Sequence, residues 1–236
     1  MSRQVTPRNA AGCGVHLSLS SSISQQDQPM TIRVLCFSDL HRDQDAAKRL
    51  VELADQADLV LGAGDFANRH EGLSDTLALL QSITQPTVLV PGNGETVEEL
   101  REATVNWKSA MVLHGEGCEI ELQTGSVPVW GVGGGIPVTP FGDWSYDFDE
   151  EQATEMLAGC PEGAILITHS PALDTVDHDT AGRVRGSQAI RDAILAKKPR
   201  FAVCGHIHSD WERQVTLGST PILNAGPRGV FVDVPK

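Results

Sequence analysis

Seven side chains that can bind a metal ion stand at the ends of five apolar runs of this sequence. They are two carboxylates, one carboxamide and four imidazoles: Asp39, His41, Asp65, Asn93, His169, His206 and His208. A mixed set of oxygen and nitrogen ligands without a thiolate suits divalent metals such as Mn, Fe, Co, Ni or Zn. Seven ligands exceed the need of one tetrahedral site. Two metal ions that share a carboxylate account for them better.

Four of these seven residues form two pairs, and the members of each pair lie two positions apart, in Asp39-Leu40-His41 and in His206-Ile207-His208. Residues i and i+2 of an extended segment point to the same side. We therefore expect each pair to present both side chains to one point from an extended backbone.

The sequence around these residues predicts a scaffold that gathers strand ends. Apolar runs at 32–37, 58–61 and 87–90 alternate with helical patterns, which indicates βαβ units and a largely parallel sheet. The second half is richer in predicted strands, at 110–113, 118–123, 127–132, 164–167, 201–204, 211–217, 221–225 and 229–234. The prediction is an α/β domain with two packed sheets flanked by helices. Ligands of such sheets bind at the carboxyl ends of the strands.

Helix boundaries are predicted by capping residues. Asp43 is a suitable N-cap for the helix after the first strand, and Thr96 with Glu99 forms the pattern of a capping box. Two later helices are predicted near 149–158 and from Ser187 to Lys198.

The overall charge argues against a nucleic-acid polymer as partner. The chain has 31 acidic and 18 basic residues, for a formal net charge of −13. That field repels a phosphate polymer, so broad docking onto DNA or RNA is not expected. No apolar run approaches the roughly 18–20 residues that span a bilayer, and we expect no membrane partner.

The N-terminal segment does not have the composition of a signal peptide. Residues 1–29 are rich in Ser and Gln and lack the continuous apolar run of a signal peptide. We predict a disordered tail over 1–29 and a folded domain over 30–236.

The five cysteines are scattered without a Cys-x-x-Cys pair, which is typical of reduced thiols and predicts a cytoplasmic protein.

Five short motifs carry a family resemblance. They are Asp-x-His at 39–41, Gly-Asp-x-x-Asn at 64–68, Gly-Asn-x-Glu at 92–95, Thr-His-Ser-Pro at 168–171 and Cys-Gly-His-Ile-His at 204–208. Over about 31–230 the chain resembles the calcineurin-like metallophosphoesterases. The loop 131–141 and the segment 186–191 are similar to those of small microbial phosphoesterases and phosphodiesterases. The resemblance implies a four-layer α/β/β/α sandwich with two mixed β-sheets around a dinuclear metal site.

The resemblance also implies a role for each candidate ligand. One metal would be held by Asp39, His41, Asp65 and His208, and the other by Asp65, Asn93, His169 and His206, with Asp65 bridging. Mn is the metal most expected to support activity in vitro. The implied reaction is hydrolysis of a small phosphorylated substrate, including nucleotides, with Asp39, His41, Asp65, Asn93 and His169 as catalytic residues. Two divalent cations outweigh the charges of the two aspartates, so the pocket would attract such an anion.

One position departs from the family pattern. The third motif usually has a histidine that protonates the leaving group, and Gly94 stands there. The loss of a general acid costs about 10²–10⁴-fold for a poor leaving group. We therefore predict a preference for phosphodiesters and esters with good leaving groups. His41, Arg42 or His70 could supply a proton or charge instead. The alternative function is that of a catalytically weak binding or scaffold protein with this fold.

Other residues are candidates for substrate contact. Arg42, Arg183 and Arg185 could grip a substrate phosphate, or they could be solvated surface residues.

The loop between the motifs adds three aromatic residues. Phe141, Trp144 and Tyr146 could stack on a nucleobase or pack over the edge of a sheet.

Overall fold

The computed structural model describes Met1, residues 31–123 and residues 125–236. Apart from Met1, the tail predicted over 1–29 lies outside the described residues. The elements follow one another as β1 (Thr31–Phe37), α1 (Gln44–Ala54), β2 (Leu59–Gly62), α2 (Leu73–Leu80), β3 (Thr87–Leu89), α3 (Val97–Ala103), β4 (Ala110–Val112), β5 (Glu116–Leu122), β6 (Gly125–Val132), α4 (Glu150–Ala158), β7 (Ile165–Thr168), α5 (Gln188–Lys197), β8 (Phe201–Cys204), a 3-10 turn (His208–Asp210), β9 (Gln214–Leu217), β10 (Thr220–Asn224) and β11 (Val230–Pro235).

The strands form two mixed sheets. The first has the order β11-β1-β2-β3-β4, in which β11 is antiparallel to β1 and the other pairs are parallel. The second has the order β5-β6-β7-β8-β10-β9, with antiparallel pairs at its two edges and parallel pairs between them. The helices α1, α2 and α3 follow the parallel strands of the first sheet, and α4 and α5 connect those of the second.

Side chains of β1 show how the layers are held. Ile32, Val34 and Cys36 are buried in a core that lies between the two sheets. Leu35 and Phe37 alternate with them and pack in a second core, under α1, α2 and α3. A third core joins the second sheet to α4 and α5. Three apolar layers separate four layers of structure, which confirms the predicted α/β/β/α sandwich.

Most element boundaries agree with the sequence within three residues. Asp43 accepts hydrogen bonds from two amides at the start of α1, and Thr96 with Glu99 forms the predicted capping box. The strand predicted at 211–217 begins at Gln214, because a turn occupies Trp211 and Glu212, and Glu212 has a left-handed φ of 64°.

No helix within the described ranges has both the length and the apolar character that crossing a bilayer would require. Four cysteines lie in the described ranges, and all four are free thiols: Cys36, Cys118, Cys160 and Cys204.

Candidate metal centre

The seven candidate ligands come together where the two sheets meet. Three of the segments that carry them follow β1, β2 and β3 of the first sheet, and two follow β7 and β8 of the second. Parallel strands direct their carboxyl ends to the same edge, so chain turns after five strands converge there. The fold therefore brings together residues that are up to 169 positions apart in the chain, from Asp39 to His208.

Four of these side chains form a first group of donor atoms. His41 Nε2 lies 3.1 Å from His208 Nε2 and 3.5 Å from Asp65 Oδ2. His208 Nε2 lies 3.6 Å from Asp39 Oδ1. Asp39, His41 and His208 have the mutual spacing that a metal ion requires of its ligands.

A second group gathers around His169. Its Nε2 atom lies 3.2 Å from Asn93 Oδ1, 3.2 Å from His206 Nδ1 and 3.6 Å from Asp65 Oδ1. Asp65 belongs to both groups, because its Oδ1 atom faces His169 and its Oδ2 atom faces His41. Asp39, Asp65 and His169 are also spaced as a possible metal-binding set.

The proton positions within the second group suit a cation. His169 Nδ1 lies 2.8 Å from the Ala63 carbonyl oxygen, which can only accept, so Nδ1 carries the proton of a neutral ring. Nε2 then presents a lone pair. Asn93 donates its amide nitrogen to Ser145 Oγ at 3.0 Å, which leaves its oxygen facing that lone pair. Acceptor atoms this close repel one another unless a proton or a metal ion lies among them. The donor set therefore fits a metal ion.

The pairs Asp39/His41 and His206/His208 do not present their side chains from an extended backbone, as the sequence predicted. Asp39, His41, Asp65 and His206 all have left-handed backbone angles, with φ of 53°, 43°, 57° and 67°. The expected extended backbone is therefore wrong. Each such residue costs about 1–3 kcal/mol and persists when the surroundings enforce it. Here the Asp39 amide donates to Gly64 O and the His41 amide to Asp65 O, both at 2.9 Å.

Asp39 is held by donors that sequence reasoning missed. It accepts from Trp211 Nε1 at 3.1 Å, from the His206 amide at 3.0 Å and from the Ser38 hydroxyl. Burial opposes its ionisation. The hydrogen bond with His208 and the charges of nearby histidines outweigh burial and hold the pKa of Asp39 below its ordinary value. Asp39 is therefore an ionised carboxylate in a fixed orientation.

The two buried histidines have opposite pKa shifts. Burial and the neighbouring His169 lower the pKa of His206 to about 4, so its ring is neutral near pH 7 and able to bind a metal. Burial also opposes the charged form of His169, but the carboxylates of Asp65 and Asp39 outweigh it and raise the pKa of that ring. The same carboxylates that would attract a metal ion therefore also favour a second proton on Nε2, at the place a metal ion would take.

Glu95 organises the loops that carry the second group, although sequence reasoning gave it no role beyond its place in a motif. It is fully buried. Its carboxylate accepts from the amides of Asp65 at 2.8 Å, Gly92 at 2.7 Å, Phe66 at 3.3 Å and Ala67 at 2.9 Å. Burial and the charge of Asp65 raise its pKa to about 7, whereas the amides of Gly92 and Ala67 lower it. One side chain thus joins the turns after β2 and β3.

We expect Glu95→Ala to lower the free energy of unfolding by about 4 kcal/mol, because four buried amides lose their acceptor. Urea denaturation in the presence of EDTA measures this without any contribution from bound metal. Glu95→Gln retains one oxygen and should give an intermediate loss. A loss below about 1 kcal/mol for Glu95→Ala would show that Glu95 does not hold these turns together.

The candidate ligands open onto a cavity of about 690 Å³. Five of the candidate ligands line it, namely His41, Asp65, Asn93, His206 and His208, and Gly94 also belongs to the lining. The lining includes six apolar or aromatic residues: Pro137, Val138, Pro140, Phe141, Trp144 and Val184. A cavity of this volume encloses most of a drug-sized molecule.

The aromatic residues of the loop are divided between two places. Phe141 and Trp144 line the cavity and stack with ring centroids 5.5 Å apart. Tyr146 instead packs edge-on against Phe148, at 4.8 Å, and beside His114. The stacking role considered for Tyr146 therefore does not fit its position, since Tyr146 is not among the cavity residues.

The arginines considered for substrate contact are also separated. Arg183 and Arg185 line the cavity. Arg42 is not among its lining residues; it extends over Gly72 and pairs with Glu71 at 3.3 Å. Arg69, which sequence reasoning missed, lines the cavity with its guanidinium 4.8 Å from the centre of the Trp144 ring.

His70 is not among the residues that line the cavity, and its ring instead bonds to the backbone of the loop that carries Phe141 and Trp144. Nδ1 lies 2.8 Å from Glu99 Oε2, and Nε2 lies 2.7 Å from the Trp144 carbonyl oxygen. Both partners accept, so both ring nitrogens must donate and the ring is an imidazolium. The bond to Glu99 is the largest cause of a raised pKa for His70. A proton from His70 therefore has no direct route to a leaving group in the cavity.

We expect the stabilisation from His70 to depend on pH. Because its folded-state pKa is raised, this stabilisation is complete below the unfolded value of about 6.5 and is lost as pH rises through the folded value. His70→Gln should therefore cost more at pH 6 than at pH 9, by less than about 1 kcal/mol since the pair is partly solvated. Urea denaturation at both pH values measures this. An NMR titration of His70 with a midpoint at or below about 6.5 would contradict the prediction.

Comparison with known proteins places this arrangement in a family. The family model described as calcineurin-like phosphoesterase matches residues 32–210. Among curated proteins, no sequence matches the chain.

Solved structures with the same fold extend the comparison. One superposes with a TM-score of 0.72 at 19% identity and covers 86% of this chain and 95% of its own. The protein TT1561 of Thermus thermophilus superposes with a TM-score of 0.67 at 16% identity, covering 86% of this chain and 99% of its own. A phosphopantetheinyl hydrolase from Mycobacterium tuberculosis reaches 0.57 at 14% identity, covering 83% and 90%. A dimetal phosphatase from Danio rerio reaches 0.55 at 11% identity, covering 88% and 97%. At these identities the likeness is one of fold.

Proposed function

We propose that this chain, which belongs to the calcineurin-like phosphoesterase family, hydrolyses phosphate esters at a dinuclear centre of divalent metal ions. The family typically binds two such ions. We further propose which residues bind the two ions and which esters the chain prefers.

The single observation that carries this proposal is the position of Asp65. Its two carboxylate oxygens face separate groups of donor atoms, Oδ2 towards His41 at 3.5 Å and Oδ1 towards His169 at 3.6 Å. A carboxylate between two groups of lone pairs is what a shared ligand of two cations requires.

We assign the ligands accordingly. One ion would be held by Asp39, His41, Asp65 and His208, and the other by Asp65, Asn93, His169 and His206. When bound, the two ions supply Lewis acidity and an activated water for attack on phosphorus. A donor set of oxygen and nitrogen atoms only suits Mn, Fe, Co, Ni or Zn, and Mn is our first choice of metal for activity in vitro.

The protein's own contribution is to hold these donors in place. The Ala63 carbonyl sets the proton on Nδ1 of His169 and so directs Nε2 inward. Ser145 fixes the orientation of the Asn93 amide. Trp211 and Ser38 fix Asp39. Such orientation lowers the cost of rearrangement when charge develops on the phosphoryl group.

The cavity supports a preference for esters with a good leaving group. Gly94 offers no proton, and His70 is turned away towards Glu99 and Trp144. Val138 and Phe141, which also line the cavity, are half exposed or more, so an aryl group or nucleoside of the substrate could cover them. We therefore favour phosphodiesters, including those of nucleotides, over simple alkyl monoesters.

We further propose that the catalytic unit spans 30–236 and works in the cytoplasm. The family match ends at 210, but β9, β10 and β11 complete both sheets, which supports the longer span. The four described cysteines are free thiols, which is usual in a reducing compartment.

The test combines metal analysis with turnover. We expect about two equivalents of metal per chain after loading with Mn, and metal-dependent release of nitrophenolate from bis-p-nitrophenyl phosphate. EDTA should abolish the release, and Mn should restore it. Full metal occupancy without turnover of any ester in a broad panel would instead support the binding or scaffold function.

A further inference from the structure

Arg183 and Arg185 form an arginine pair on a hairpin, residues 177–186, at one wall of the cavity. Both donate from Nε to the same oxygen, Oδ2 of Asp179, at 2.9 and 3.0 Å. In the part of the chain that the structure describes, neither guanidinium makes another side-chain hydrogen bond, so their terminal nitrogens are available to a ligand. Two positive charges beside one negative charge leave a surplus of one positive charge.

Asp179 fixes the geometry of the arginine pair. Its Oδ1 atom accepts from the amides of Ala181 and Arg183 at 2.9 and 3.0 Å. The backbone hydrogen bond with Arg183 is the largest cause of a pKa below the ordinary value, and the two guanidinium groups add to it. The carboxylate therefore stays charged and holds both guanidinium groups on one side of the hairpin.

The hairpin is tied to the segment that carries His208. Ser209 donates its hydroxyl to the His178 carbonyl oxygen at 2.6 Å, and the His178 amide donates to Asp210 Oδ2 at 2.9 Å. The Gly186 amide donates to Asp177 Oδ2 at 2.9 Å, which joins the two ends of the hairpin to each other. These bonds hold the hairpin that carries the arginine pair in a fixed place relative to the candidate metal centre.

Part of the cavity lining is apolar. Val138, Phe141 and Val184 line the cavity and are 62%, 50% and 44% exposed. The cavity thus combines a candidate metal centre, an apolar surface and a positively charged rim. In a chain with a net charge of −13, such a rim is an exception that favours an anion.

We propose that Arg183 and Arg185 bind a second phosphate group of the substrate, separate from the phosphoryl group that reacts. This inference rests on the proposed function. The substrate class is then a phosphate ester in which an apolar or planar moiety connects two phosphates. Guanidinium groups suit this role because their planar donors match phosphate oxygens.

Two chromogenic esters differ only in this second phosphate. One is the p-nitrophenyl ester of thymidine 5′-phosphate, and the other carries an additional 3′-phosphate. Both release the same leaving group, so their kcat/KM ratio isolates the second anion. We expect the Mn-loaded wild type to prefer the bisphosphate by about 10- to 100-fold. The triple variant R183Q/R185Q/D179N replaces all three charged side chains with neutral ones, and it should lose that preference, so that its kcat/KM ratio for the two esters falls to about 1.

Arg228→Gln is the matched control. Arg228 also forms an ion pair through Nε with a carboxylate, that of Glu212 at 3.2 Å. It is similarly exposed, and it does not line the cavity. This variant should keep the preference. A preference retained by the triple variant, or lost in Arg69→Gln alone, would overturn the assignment to the arginine pair.

A binding measurement tests the anion site independently of the proposed hydrolytic activity. Calorimetry with thymidine 3′,5′-bisphosphate and thymidine 5′-phosphate needs no turnover. We expect wild type to bind the bisphosphate about 10- to 100-fold more tightly and the triple variant to bind both alike. If wild type hydrolyses neither ester but shows this difference, the proposed function fails and the anion site stands. Equal affinities in wild type would overturn the anion site even where both esters are hydrolysed.

Discussion

Asp65→Asn should lower kcat for bis-p-nitrophenyl phosphate by about 10³-fold and reduce the metal content of the protein. Asparagine keeps the shape of the side chain and one oxygen, which can still accept from the Gly94 amide that now lies 2.8 Å from Oδ1. It loses the negative charge and the second oxygen. Because these two oxygens face His41 and His169 respectively, the variant removes the connection between the two groups of donors.

Elemental analysis and steady-state kinetics on the same sample measure both effects. Asp58→Asn is a matched control, since it makes the same change in an exposed carboxylate that bonds the Arg33 amide at 2.8 Å. It should leave metal content and kcat unchanged. Circular dichroism and urea denaturation in EDTA establish that the Asp65 variant is folded. Unchanged turnover in a folded Asp65→Asn protein would refute the proposed dinuclear site.

Gly94→His should raise kcat/KM for an alkyl monoester such as glycerol phosphate by about 10²–10⁴-fold, because it restores a proton donor beside the leaving group. The backbone allows this change. A Cβ at this position would lie 3.2 Å from Asp65 Oδ1 and 3.4 Å from the Ala67 carbonyl oxygen, so shifts of a few tenths of an ångström suffice. Since Gly94 lines the cavity, the new side chain would have space there.

The gain should be much smaller for bis-p-nitrophenyl phosphate, whose leaving group needs little protonation. Gly94→Ala introduces the same Cβ without an imidazole and separates crowding from proton transfer. A parallel assay of both variants on both esters makes the comparison. Equal gains on the two esters, or the same gain from alanine, would refute the role given to the missing histidine.

The order of elements and the identity of the candidate ligands were accessible from sequence. Apolar runs such as 58–61 and 164–167 predict buried strands wherever they occur, because a segment apolar on both faces must be covered on both sides. Asp43, Thr96 and Glu99 determine helix starts through hydrogen bonds to nearby amides, which depend on local sequence alone. The seven candidate ligands could be listed because each lies within four residues after the end of a strand.

The orientation of those ligands was decided only by the tertiary structure. Asp39 and His206 have left-handed backbones that their own sequence disfavours. Buried aliphatic side chains contribute about 1.5–3 kcal/mol each and can outweigh that cost through the packing of whole sheets. The same holds for Glu95, since the amides of Asp65, Phe66 and Ala67 reach its carboxylate only after β2 and β3 pair.

The arginines also show the difference between what local sequence determines and what tertiary structure determines. Arg42, Arg69, Arg183 and Arg185 are alike in sequence as polar residues of loops, yet three line the cavity and one does not. Which of them can reach a substrate depends on contacts with distant chain segments, such as the bond between Ser209 and the His178 carbonyl. A local pattern determines what chemistry a side chain can perform, and long-range packing determines where that chemistry takes place.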